Sequence, residues 1–476
     1  MEIERRYLLP PCSAKRFVES VAKRYTKIPI EQIYLPSEEG SLRYRRWGKR
    51  YIRTFKRGEG MVRSEEEREV TREEYRDARG RREGRPVTKT RYRFRYRGRL
   101  YELDRFKGDL EGLVLMETEF DTPEEAEAFT LPPALARIVL DEVTEERAFT
   151  NHALALHGIP TFSRPKEELL EAAKKSVKTL EFPPYQESAT LLQGLIYAWA
   201  QEIRRHRKAI LAGDRDPEHL HRLRVALRKI RSFLAFYEEI LGRENVGGLR
   251  RKLGRLMRGS NDTRDLDVML CEFESLHKNT AGIEPLLSYL REERTRAYRG
   301  LTEWLDSPLF AEATAEMMAF VEREAFGAES RKLPAILAAG AMLRRQEKRL
   351  SGSFEKPKKS SPPEAYHRAR IEVKKLRYLL EGFAPVFEPE AYAEALRQLK
   401  KYQAILGEHQ DREVQLGFLR ELRQRLAALE PDIAAAAGKQ IGVLEKRIKK
   451  LRKKFLKKRK GVDRLRRSVK RALCRM

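Results

Sequence analysis

Two stretches of this chain repeat each other at a single spacing. His221-Arg222-Leu223-Arg224-Val225-Ala226-Leu227-Arg228-Lys229-Ile230-Arg231 returns 146 residues later as His367-Arg368-Ala369-Arg370-Ile371-Glu372-Val373-Lys374-Lys375-Leu376-Arg377. Arg264-Asp265-Leu266-Asp267-Val268 finds Gln410-Asp411-Arg412-Glu413-Val414 at the same offset. Two matches at one spacing identify a duplicated unit. Leu220, Leu223, Leu227, Ile230 and Leu234 make one stripe of helical period, so the unit is helical, and each copy is expected to form its own bundle.

The first 150 residues have a different period. Short alternating segments lie between glycine turns: Glu2 to Leu8, Ser41 to Arg46, Tyr51 to Lys56, Met61 to Val70, Val87 to Arg97, Leu100 to Phe106 and Leu113 to Phe120. The chain therefore reads as α+β and multidomain. An N-terminal antiparallel all-β domain with a few added helices spans 1–160, a Pro-rich linker with a short helix spans 161–184, and an all-α duplicated helical domain spans 185–476 with a basic C-terminal segment.

Charge points to the kind of partner. The 476 residues carry 100 Lys and Arg against 72 Asp and Glu, a balance of +28, while 41% of the residues are hydrophobic, enough to build cores. A folded protein with this surplus meets a polyanion: nucleic acid, an anionic membrane surface or a phosphate polymer. No apolar run is long enough to span a membrane, and the charged start lacks a signal-peptide core, so a soluble cytoplasmic chain without membrane insertion is expected. Cys12, Cys271 and Cys474 are widely spaced and suggest free thiols, neither a disulfide framework nor a zinc site. Walker A and His-Glu-x-x-His sequences are absent.

Residues two apart on a strand share a face. Glu2, Glu4 and Arg6 do so, as do Arg43 with Arg45, Thr54 with Lys56, Arg63 with Glu65 and Glu67, Lys89 with Arg91 and Arg93, Glu102 with Asp104, and Glu117 with Glu119. Facing outward, these would be solvated surfaces. Facing inward, they would line a wet charged tunnel in which carboxylates hold a hard cation and Arg and Lys hold phosphate oxygens. The number of strands showing the pattern favours the inward reading.

In the helical half, His221, Arg224, Arg228 and Arg231 fall on one helix face, and His367, Arg370, Lys374 and Arg377 do the same. Like charges at this spacing cost an isolated helix about 0.2–0.5 kcal/mol per pair, strain that a bound polyanion converts to affinity. Glu218-x-x-His221 and Glu364-x-x-His367 also match di-iron spacing. Capping is the plainer cause, with Asp216-Pro217 and Ser361-Pro362 as helix starts and Ser361-x-x-Glu364 as a capping box. The basic run Lys446 to Lys460 has Ile448, Leu451 and Phe455 on one side and reads either as a charged helix edge or as an electrostatic arm.

The β half resembles the CYTH domain of the triphosphate tunnel metalloenzymes. Glu2-Ile3-Glu4-Arg5-Arg6 is similar to the family's Glu-x-Glu-x-Lys strand, with Arg6 where Lys is usual, and Ser41 to Arg45, Thr54 to Lys56, Arg63 to Glu67, Lys89 to Tyr92, Tyr101 to Phe106 and Glu117 to Glu119 follow in order. The resemblance implies a tunnel binding triphosphate with Mg²⁺ or Mn²⁺, often with hydrolysis of inorganic triphosphate. It implies Glu2, Glu4, Glu117 and Glu119 as metal carboxylates, and Arg43, Arg45, Lys56, Lys89 and Arg91 as triphosphate-binding cations. Arg6, Glu65 and Glu67 take the catalytic places. Relatives act on thiamine triphosphate or cyclise ATP, and no residue here separates those substrates.

The helical half resembles the CHAD domain, known for binding inorganic polyphosphate. His221, Arg224, Arg228, Arg231, His367, Arg370, Lys374 and Arg377 stand at its basic positions, with Asp265 to Val268 and Asp411 to Val414 as its acidic turns. The joint expectation is a cytoplasmic protein, associated with polyphosphate granules, that binds polyphosphate and cleaves triphosphate. The alternatives are a non-enzymatic nucleic-acid binder and a degenerate tunnel that only scaffolds. Without aromatics interleaved on the basic helices, specific nucleic-acid recognition is not expected.

Overall fold

The computed structural model describes residues 3–11, 14–22, 24–38, 40–57, 64–161, 164–175, 180–276, 282–326 and 332–472, with backbone alone at 14–16, 56–57, 64–65 and 276. Glu2, Arg63, Cys12 and Cys474 lie outside the described residues, as do the side chains of Lys56 and Glu65.

Nine strands form one antiparallel sheet: β1 Ile3–Leu9, β2 Tyr25–Leu35, β3 Gly40–Trp47, β4 Arg50–Arg57, β5 Ser64–Glu69, β6 Glu83–Tyr96, β7 Arg99–Phe106, β8 Val114–Phe120 and β9 Asp141–Glu142. The ladder order is β5-β4-β3-β2-β6-β7-β8-β1-β9. Its register settles the face question. Glu4 opposes Glu119 and Arg6 opposes Glu117 between β1 and β8, while Glu102 opposes Glu117 between β7 and β8. Arg91 opposes Asp104, Gln32 opposes Arg45, Arg43 opposes Thr54, and Thr54 opposes Glu67. Directly opposed residues point to the same side, so one charged row crosses eight strands on a single face. The opposite face is apolar where Tyr7, Tyr92, Tyr101, Leu103 and Met116 pack with Phe17 and Val18.

Eighteen helices are described. In the first half these are α1 Ala14–Val21, α2 Arg72–Gly80, α3 Pro123–Ala128, α4 Pro133–Ala136, α5 Asn151–His157 and α6 Lys166–Lys175. The remainder are α7 Ser188–Leu211, α8 Pro217–Phe236, α9 Glu238–Leu241, α10 Arg243–Arg258, α11 Asn261–Leu276, α12 Glu284–Leu305, α13 Pro308–Glu322, α14 Ala335–Glu355, α15 Pro363–Gly382, α16 Pro389–Leu426, α17 Pro431–Lys458 and α18 Val462–Ala472. Among the described residues no helix is long and apolar enough to cross a membrane.

The duplication reaches beyond its two motifs. α8 and α15 begin 146 residues apart, and so do α10 and α16. The single α16 therefore stands where the first repeat has α10 and α11, split at Gly259-Ser260. A Cβ at Gly259 would meet the Trp304 indole at 2.3 Å, so the break lets α12 approach.

The repeats do not form separate bundles, contrary to the sequence expectation. α8 and α15 share one core, and a second core joins Leu266, Met269 and Leu287 of α11 and α12 to Leu416, Leu419 and Leu444 of α16 and α17. Each copy's apolar faces are completed by the other copy, so neither closes alone.

Segment 161–184 is no free tether either. Leu169, Ala173, Leu180 and Phe182 are buried in the core that runs from Leu113, Val143 and Phe149 beside the sheet to Leu191, Ile196 and Leu337 in the helices. The tunnel and the helical half share this core. The basic run 446–460 is packed as well: Ile448, Leu451 and Phe455 are buried along α17, which favours the helix-edge reading. At α15 the expected capping box is not formed. Pro362 holds the N-cap position, and the Ser361 hydroxyl accepts from the Lys358 amide at 2.8 Å. At α8 the Asp216 cap is present, its carboxylate accepting from the Glu218 amide at 2.8 Å.

Candidate functional site

The charged row of the sheet is graded from a dry end to a wet end. At the dry end Lys89 and Asp104 are paired at 2.5 Å, both almost fully buried. α5 closes this end: Asn151 Oδ1 accepts from Lys89 Nζ at 3.2 Å, and the His152 ring packs tilted against Tyr34, with centroids 4.7 Å apart. Gly84 permits the approach. With φ at +64 it adopts a conformation other residues avoid, and a Cβ there would sit 2.5 Å from the Ala155 carbonyl oxygen. At the other end Glu119 is exposed, beside a 550 Å³ mouth also lined by Arg95, Arg97, Arg99, Glu102 and Glu117.

Between these ends the cations are clamped by carboxylates. Arg91 meets Asp104 at 2.6 Å and Glu117 at 3.0 Å, and also pairs with Glu102. Burial opposes its charge, but Asp104 and its neighbours outweigh that and raise its pKa. Burial likewise works against Asp104 ionisation, yet Arg91 and Lys89 hold it below the usual carboxylate range. Arg6 pairs with Glu117 at 2.8 Å and with Glu4. Arg45 differs: burial and the neighbouring Arg43 lower its pKa, and the carboxylate it meets, Glu67 at 3.3 Å, is 45% exposed. Glu102 and Asp104 are thus counter-charges to Lys89, Arg91 and Arg93. Their alternation with Arg91 and Arg93 was visible in sequence; their partners were not.

Among the described residues no three His, Cys, Asp or Glu side chains gather to hold a metal. The donor set nevertheless suits one kind of ion. Mg²⁺ is held by one or two carboxylates plus substrate phosphate oxygens rather than by an all-protein cage, and Glu4, Glu117 and Glu119 are hard oxygen donors on adjacent strands.

In the helical half α8 and α15 meet over a 720 Å³ cleft completed by α11 and α16. Seven of the eight expected residues line it: His221, Arg224, Arg228, His367, Arg370, Lys374 and Arg377. The eighth, Arg231, turns toward Gly254 of α10 and lies near Arg250 and Arg258, although its repeat counterpart Arg377 lines the cleft. Arg264, Lys229 and Gln410 also line the cleft and were missed. The second repeat match, which aligns Arg264 with Gln410, was the available signal.

Eight Lys and Arg side chains face three Asp and Glu side chains in this cleft. The Nε atoms of Arg224, Arg228 and Arg370 are buried without a hydrogen-bond acceptor. Other donors are satisfied: Arg224 reaches Ser260 Oγ at 2.6 Å and Asn261 Oδ1 at 2.9 Å, and His367 Nδ1 lies 2.6 Å from Gln410 Oε1. Burial, reinforced by Arg370 and Arg228, lowers the Lys374 pKa to about 6, and burial with Arg264 lowers that of His221 to about 4. The cleft is cationic, desolvated and short of acceptors. Glu218 pairs with Arg222 at 2.5 Å, as a helix-start carboxylate would.

Comparison with known proteins agrees with both halves. The inorganic triphosphatase of Nitrosomonas europaea is 39% identical over 132 residues, covering 27% of this chain and 85% of that protein. The CHAD domain model matches residues 195–420. The chain belongs to the CYTH triphosphate tunnel family and carries a CHAD domain. Among solved structures, an inorganic triphosphatase matches the CYTH–CHAD chain at 33% identity and a TM-score of 0.27, over 33% of this chain and 95% of that one. The CHAD domain of the plant Ricinus communis matches at 20% identity and a TM-score of 0.47, over 59% of this chain and 91% of that one.

Proposed function

We propose that the CHAD cleft binds inorganic polyphosphate and that the tunnel binds and hydrolyses inorganic triphosphate with a divalent cation. The observation that carries this reading is the convergence of seven repeat residues on one acceptor-poor cleft with eight Lys and Arg side chains against three Asp and Glu. A phosphate polymer supplies anionic acceptors at every unit and requires no base stacking. The activity of the Nitrosomonas europaea relative supports the tunnel half of the reading.

In the tunnel Arg43, Arg45 and Lys56 grip phosphate oxygens, and Lys89 and Arg91, fixed by Asp104, shape the far end. Glu67 with Glu65 orients a water. Glu4, Glu117 and Glu119, with Glu2, would hold Mg²⁺ or Mn²⁺, which supplies charge neutralisation at the phosphates. The reading places the protein in the cytoplasm beside polyphosphate.

Competition between polyphosphate and duplex or single-stranded nucleic acid on the full chain tests the cleft; preference for nucleic acid at matched charge rejects it. Phosphate release from tripolyphosphate with Mg²⁺ or Mn²⁺, against Glu4→Ala and Lys56→Ala controls, tests the tunnel. A second reading, a tunnel that binds without turnover, is favoured by one observation: Arg6 already occupies both Glu4 and Glu117.

A further inference from the structure

A second groove of 770 Å³ adjoins the basic cleft, and Arg222, Val225, Lys229, Arg377 and Glu381 line both, so the two spaces lie on either side of one set of side chains. The new walls come from three places. Lys174 and Lys175 are the last turn of α6, the helix between tunnel and CHAD domain; Arg205 lies on α7 and Lys400 on α16.

Charge in the groove is arranged for an incoming anion. Its carboxylates, Glu202 and Glu381, are mostly withdrawn from solvent, at 14% and 21% exposure, whereas Arg205, paired with Glu202, and Lys174, paired with Glu171, remain 64% and 52% exposed. Glu381 holds Arg377 at 2.6 Å and Lys229 at 3.4 Å, where the groove joins the cleft. Trp199, Tyr392 and Leu396 give the groove an apolar wall, and low-dielectric walls focus the field of clustered cations.

We propose that Lys174, Lys175, Arg205 and Lys400 form a second polyanion subsite, next to the histidine cleft, that holds the part of a long polyphosphate chain overrunning the cleft. This rests on the reading of the cleft as a polyphosphate site. The subsite makes affinity depend on chain length, and it brings the bound chain alongside the helix that joins the two domains.

The test uses the full chain without divalent cations, titrated with long-chain polyphosphate and with tripolyphosphate at several salt concentrations. The variant Lys174→Ser/Lys175→Ser/Arg205→Ser/Lys400→Ser alters exposed side chains, and unchanged helix content and tripolyphosphate hydrolysis certify its fold. Long-chain affinity should fall about tenfold or more and the slope of log K against log salt should flatten by about 3–4, as four phosphate contacts require, while tripolyphosphate binding stays as in the parent. Equal loss for both ligands, or no loss for the long chain, overturns the subsite. Arg228→Ser/Arg370→Ser is the separate control: if it leaves long-chain binding intact, the cleft reading itself fails, and with it this inference.

Discussion

Lys374 shows how a residue's surroundings become a measurable property. Its pKa of about 6 in the folded chain lies far below the ordinary 10.5, because burial and two arginines disfavour a further charge. Between these values the unfolded chain holds a proton that the folded chain has released, so this group makes the unliganded protein more stable as pH rises through the window. A bound polyanion reverses the preference and favours the ammonium. Above about pH 6, polyphosphate binding should take up a proton, and affinity should weaken as pH rises; calorimetry in buffers of different ionisation enthalpy reads this directly. Lys374→Arg should remove most of the uptake, since a guanidinium stays charged.

At the same scale, Asp104 holds two buried cations. Asp104→Ala should destabilise the protein by about 3–5 kcal/mol, because Lys89 and Arg91 lose a shared partner in a dry site; denaturant midpoints measure it. Arg6→Lys replaces a fork spanning two carboxylates with a point charge. It should raise phosphate release from tripolyphosphate by about tenfold, equivalent to 1.36 kcal/mol of barrier, if the clamp on Glu4 restrains turnover. An unchanged kcat would remove that explanation.

At the scale of elements, the cleft depends on how closely α8 and α15 approach. A Cβ at Gly382 would come within 2.2 Å of Phe233, a ring with no exposed surface. Gly382→Ala should therefore cost about 1–3 kcal/mol by overpacking, seen as a lower denaturant midpoint, and should weaken polyphosphate binding by spreading the two basic faces. The basic faces themselves were legible, since helical spacing fixes which residues share a side. Arg231 marks the limit of that logic: Arg377, at the same offset in the second repeat, lines the cleft, whereas Arg231 lies against α10, so the neighbouring helix and not the spacing decides which end of a stripe reaches the site. Strand positions in the β half were similarly readable, except for β2. Its early residues, Tyr25 to Glu31, lack clear alternation, and pairing with β6 along their length, joined by β3 from Ile30 onward, makes them a strand.

For the whole molecule, the shared core is the main departure from the sequence reading. Prolines and a change of period marked 161–184 as a linker, yet its apolar residues complete a core common to both halves. Leu337, on α14 in the CHAD half, lies against Gly112 of the tunnel half. Leu337→Ala should cost about 2–5 kcal/mol, and loss of tunnel activity and loss of helix signal on heating should shift together. Two separated transitions would show that the halves melt independently.

Local periodicity and repetition determined the two classes of structure, the duplication, and the charged faces of strands and helices, because side-chain direction follows from a backbone period of two or 3.6 residues. They could not determine inward from outward on the sheet, the sharing of cores between repeats, or the union of two distant basic helices over one cleft. Those depend on contacts between residues far apart in the chain, and packing is where the cost of burying charge is either met by a partner or left for a ligand to meet.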